Sequence, residues 1–127
     1  MLDRAEADLT RSMNDFPNDA NGDVFRRMVA NGDDLTKART IDFCFVFQER
    51  KEALLFAGIV NEQDFEVCIS YNKRQEMWQV IIKRHMVPTH KGITALEHAL
   101  TTKAKCFDGE ADGWGCFNIP RSGESMG

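Results

Sequence analysis

Along residues 40–48, Ile41, Phe43, Phe45 and Phe47 alternate with Asp42, Cys44, Val46 and Gln48. A period of two, built from aromatic and β-branched residues, predicts a strand. One Ile and three Phe on a single face require a large apolar layer against them. The other face is mixed, so it is expected to be half-covered or open to water. The stretch therefore reads as a central strand of an antiparallel-rich sheet, with helices over the Phe side.

The rest of the chain supplies those helices and the neighbouring strands. Residues 1–18 show no sustained periodicity, and Phe16-Pro17-Asn18-Asp19 reads as a break, so this part is expected to be a flexible lead-in. Asp19 or Asn21 can cap a helix that puts Val24, Phe25, Met28 and Val29 on one face, and Asn31-Gly32 ends it. A polar connector, residues 33–39, leads into the central strand. Residues 49–61 predict a helix that is apolar on more than one side and hence largely buried. Residues 64–72 alternate again, with Phe65, Val67, Ile69 and Tyr71 on one side. A short turn follows, and then residues 77–86 with Trp78, Val80 and Ile82 on one side, so the two runs form a hairpin. Pro88 and Thr89 introduce a helix to about residue 103, carrying Ile93, Leu96 and Leu100. After a loop at residues 108–113, a short last strand is expected over residues 114–118.

Helix, then strand–helix–strand–strand–helix–strand, joined by right-handed crossovers, predicts an α+β ferredoxin-like sandwich. Its four-stranded sheet carries helices on one face, and the N-terminal helix is an addition. Residues 19–118 form a single domain on this reading, and residues 119–127 a disordered tail.

With 127 residues the chain can bury roughly two-thirds of its unfolded surface in one domain. The longest mostly apolar run, residues 53–60, is far short of the ~20 residues a membrane-spanning helix needs. The start, Met-Leu-Asp-Arg-Ala-Glu, lacks the layout of an export signal. A cytoplasmic protein with no membrane partner is expected. Cys44, Cys68, Cys106 and Cys116 show no Cys-x-x-Cys or Cys/His spacing, so free thiols are expected and no metal site.

The net charge of −4 is unevenly distributed. Residues 41–72 hold two Lys and Arg against six Asp and Glu, whereas residues 73–105 hold seven against two. Overall acidity argues against direct nucleic-acid binding, although the basic segment leaves room for a local polyanion contact. His85, His90 and His98 lack the spacing of a zinc-hydrolase helix. Tyr71 and the serines have no adjacent base, and no Gly-rich phosphate loop is present. Nothing asks for catalytic residues, a cofactor or an enzyme.

The run Asn31-Gly32-Asp33-Asp34-Leu35-Thr36-Lys37-Ala38-Arg39-Thr40-Ile41-Asp42-Phe43, together with Asp112-Gly113-Trp114-Gly115 before the closing strand, resembles the regulator of ribonuclease activity B family, the ribonuclease E inhibitor proteins. The similarity spans roughly residues 19–118. It implies a small non-catalytic bacterial protein that binds ribonuclease E and lowers its activity on transcripts, and a fold that agrees with the one above. The ending, Arg121-Ser-Gly-Glu-Ser-Met-Gly, departs from the long acidic tail that the resemblance implies.

Candidate partner-binding residues are Asp33, Asp34, Arg39, Asp112 and Trp114. Asp33 and Asp34 suit either a basic partner or a solvated turn. Arg39 can present its guanidinium to a partner or pair with one of these acids. Trp114 is either an exposed anchor or a plug at the sheet's end, with Asp112 in the turn that sets the strand register. Two other classes of function share this topology. An RNA-recognition module needs aromatic residues on the open face of the middle strands, where Met77, Gln79, Ile81, Lys83 and His85 stand instead. A small-molecule sensing domain would need a ligand cluster that the sequence does not display. The oligomeric state is left open.

Overall fold

The computed structural model describes residues 16–61 and 65–120. Most of the expected lead-in and tail, residues 1–15 and 121–127, lies outside the described residues. In chain order the elements are α1 (Ala20–Ala30), β1 (Arg39–Phe47), α2 (Arg50–Asn61), β2 (Glu66–Asn72), β3 (Met77–Met86), α3 (His90–Lys105) and β4 (Glu110–Gly115).

The strands form one antiparallel sheet in the order β2-β3-β1-β4. With its crossovers through α2 and α3, this is the expected ferredoxin-like arrangement. Alternation along β1 decides which face is covered. Ile41, Phe43, Phe45 and Phe47 are all buried and join Phe56, Val60, Ile93 and Leu100 from the helices and Val80 and Ile82 from β3 in one core. The register places Phe43 beside Ile82 and Phe45 beside Val80, so neighbouring strands present the same face. The Phe56 ring packs edge-on to Phe45 and tilted to Phe47, both at 5.3 Å between centroids.

Local chemistry fixes the helix ends. Asp19 is the cap of α1, its carboxylate accepting from the Gly22 N–H at 2.7 Å. Thr89 does the same for α3 through Gly92. These bonds satisfy amides that have no partner inside the helix. Gly32, at φ 81°, follows the end of α1 in the left-handed region. The packed region reaches Phe16, which stacks on Phe25 at 5.1 Å, and Ile119, whose carbonyl accepts from the Asp34 N–H at 2.7 Å.

Two expectations are corrected. The closing strand is Glu110–Gly115, not residues 114–118, and most of the predicted 108–113 loop belongs to it. Val46 and Phe45 of β1 pair with Glu110 and Ala111, and a bulge then puts Asp112 and Gly113 opposite Cys44 alone. The extra residue breaks the period of two that sequence reasoning relies on, and Gly113 accepts φ 93° at the bulge. Helix α2, expected to be largely buried, turns only Ala53, Phe56, Ala57 and Val60 inward. Leu54, Leu55 and Ile59 remain exposed, because the helix lies on the sheet by one face and no other described element covers it.

Candidate partner-binding surface

The two sequence patches that carry the resemblance meet in space. Arg39, the first residue of β1, is buried, and its Nη1 donates to Asp33 Oδ2 at 2.7 Å. The same guanidinium donates to the Phe117 carbonyl at 3.1 Å and the Asp34 carbonyl at 2.8 Å. It thereby clamps the loop after α1 to the segment after β4. Burial opposes its charge, yet the hydrogen bond and charge of Asp33 hold the Arg39 pKa above its ordinary value. Of the alternatives open to Arg39, the structure has the internal pair. Asp33 is buried and not a solvated turn residue. Asp34 fits the turn description, since its carboxylate accepts from the Thr36 N–H at 3.1 Å and the Thr36 hydroxyl at 2.6 Å.

Trp114 is half-buried against Phe25, with ring centroids 5.8 Å apart, and its Nε1 donates to Asn21 Oδ1 at 2.9 Å. Asn21 in turn donates to Thr94 Oγ1 at 3.0 Å and Glu97 Oε1 at 3.1 Å on α3. One amide from α1 thus ties β4 and α3 together, a role that its sequence setting beside the helix cap did not reveal. Asn21→Ala leaves the indole donor without this acceptor and is expected to cost about 1–3 kcal/mol, read from the denaturant midpoint. His90 likewise joins helices, its Nε2 lying 3.0 Å from Asp19 Oδ1.

The uncovered face of the sheet is formed by the alternate residues. Across it, Glu66, Lys83, Asp42 and Gly115 share one row; Cys68, Ile81 and Cys44 share the next; Ser70, Gln79, Val46 and Glu110 share a third. Asp112 sits in the bulge opposite Cys44. Four carboxylates, Asp42, Glu66, Glu110 and Asp112, therefore surround a small apolar centre, against Lys83 alone in these rows. Lys83 Nζ stands 3.3 Å from Asp42 Oδ1. At one end lies an open-sided depression of about 620 Å³, bordered by Thr40, Asp42, Glu66, Lys83 and Cys116. Arg39 also lines it, so its two acids are balanced by two bases. The acidic excess lies in the rows beside it, where Glu110 and Asp112 stand, and an acidic rim over apolar residues suits a protein segment carrying Lys or Arg.

The thiols do not alter this picture. Burial, then the charges of Asp112 and Asp42, push Cys44 upward, and burial does the same for Cys116 against the opposing pull of Arg39. Both stay protonated at neutral pH and are poor nucleophiles. Among the described residues no group of three His, Cys, Asp or Glu could hold a metal ion, and no helix is long and apolar enough to cross a membrane.

Of the five candidates named from sequence, the structure gathers Asp33, Asp34 and Arg39 into one clamp, sets Trp114 into the α1 side of the sheet, and leaves Asp112 exposed at the open face. Asp42, Glu66 and Glu110 were missed. The alternation already put Asp42 on the outer face, but aligning it with Glu66 and Glu110 required the strand register. No curated protein is similar enough to the chain to count as a match. The family model for regulator of ribonuclease activity B matches residues 18–116. That match covers every element of the sheet and all three described helices, and the chain belongs to the regulator of ribonuclease activity B family, whose members act on ribonucleases as regulators and not as catalysts.

Proposed function

We propose that the chain is a bacterial cytoplasmic protein that binds ribonuclease E and lowers its activity on transcripts, engaging it through the open face of the sheet. The family supports a ribonuclease as the partner. The observation that carries the choice of surface is the four-carboxylate rim around the half-buried Ile81 and Cys44. Such a face repels RNA phosphates and lacks the aromatic residues that stack bases on the middle strands. It attracts a basic protein segment and offers apolar contact at its centre. Asp112 belongs to this rim directly. Asp33 and Arg39 act beneath it by fixing the end of β1, while Asp34 and Trp114 fix the loop and strand beside it.

Calorimetric titration with ribonuclease E, including its non-catalytic region, tests the reading. Saturable binding is expected, weakened about tenfold or more by Asp42→Lys combined with Glu110→Lys, and weakened by added salt. No heat at tens of micromolar would remove ribonuclease E as the target. Equal binding by the charge-reversed protein would remove the surface.

A further inference from the structure

The two edges of the sheet differ in character. β4 is interrupted by its bulge and carries Glu110 and Asp112, features that discourage another strand from pairing with it. β2 has neither device. Its seven residues pair with β3 in an unbroken register, and among the described residues nothing pairs with its outer side. It contains no Lys, no Pro and a single charge, Glu66. On the helix side, a groove of about 300 Å³ runs between this edge and α2, lined by Leu54, Gly58, Val67 and Ile69. Leu54 is 42% exposed and Tyr71 46%, in a place where each has apolar neighbours but no cover. A free strand edge beside an apolar groove is a template for one more strand.

The sequence of β2 says which strand fits. Turned antiparallel to itself about a two-fold axis through Ile69, it sets Ile69 opposite Ile69, Val67 opposite Tyr71, Cys68 opposite Ser70 and Glu66 opposite Asn72. The helix-side positions then form apolar and aromatic cross-strand pairs, the favourable kind, and no like charges oppose one another. Leu54 borders the groove beside Ile69, on the apolar flank that a second copy placed by this axis would approach. The contact is isologous, the same strand meeting itself, as a two-fold dimer requires.

We propose that β2 is the seam of a two-fold dimer in which two copies of this chain join their sheets into one antiparallel sheet, with Leu54 on the flank that the second copy approaches. The open acidic faces of both copies then lie on the same side of a continuous surface. This inference is independent of the identity of the ribonuclease partner.

Sedimentation velocity of the full chain at micromolar concentrations is expected to give the mass of two chains. Leu54→Lys, on an exposed helix position, is expected to return the mass to that of one chain with an unchanged circular-dichroism spectrum. Ser70→Cys places the introduced thiol opposite Cys68 of the second copy, and mild oxidation is expected to yield a covalent dimer that Cys68→Ser in the same background abolishes. A single-chain mass throughout, including the case where another segment of the same chain occupies the edge, overturns the proposal. So does a dimer that survives Leu54→Lys and fails to cross-link through Ser70→Cys.

Discussion

Phe45→Ala is expected to lower stability by about 3–5 kcal/mol, the penalty for deleting a core aromatic ring that its surroundings cannot collapse to replace. Phe45 is 1% exposed, stands between strand neighbours Val80 and Ala111, and meets Phe56 edge-on. Removing its ring undoes packing between the central strand and α2 at the same time. Equilibrium denaturation reads the effect as a lower midpoint. An unchanged midpoint would mean that the covered face of β1 is not the foundation of the fold.

Arg39→Ala is expected to cost a similar ~3–5 kcal/mol, for a different reason. The substitution leaves the Asp33 carboxylate buried without its cation, and Asp33 Oδ1 already has no hydrogen-bond partner among the described residues. It also releases the carbonyls of Asp34 and Phe117, loosening the loop after α1 from the segment after β4. Because the penalty comes from a stranded charge, the double variant Asp33→Leu with Arg39→Met is expected to be much more stable than the sum of its single losses implies. A double-mutant cycle measures this directly. Additive losses would show that the two side chains contribute separately and that the clamp is not an energetic unit.

These two sites also show what a sequence can and cannot disclose. The Phe face of β1 is legible because burial on one side of a strand writes itself as alternation. The starts of α1 and α3 are legible because capping chemistry is local, although the sequence leaves Asp19 and Asn21 as equal candidates and marks Thr89 only as the opening of a helix. The helix–strand order determined the sheet topology for the same reason. The Asp33–Arg39 pair was one of two readings of a polar connector, since six residues of separation do not say whether a charge is solvated or buried. β4 was displaced because its bulge destroys the period of two and because Glu110, Ala111 and Asp112 are poor strand formers, held in place only by pairing with β1. The acidic rim was invisible for a related reason: Asp42, Glu66 and Glu110 are far apart along the chain and become neighbours only through strand register. The exposed side of α2 was misjudged because apolar residues around a helix do not reveal how many faces will find a partner.

A face with carboxylates around an apolar centre can regulate an enzyme without chemistry of its own, by occupying a basic segment that the enzyme needs for its substrate. The most direct measurement is the rate at which ribonuclease E cleaves a transcript as the protein is titrated in, with Asp42→Lys plus Glu110→Lys as the paired variant. The account predicts that the native protein slows cleavage in a saturable manner and that the variant, folded to the same midpoint, largely fails to do so. Cleavage unaffected by the native protein, or slowed equally by both, would contradict it.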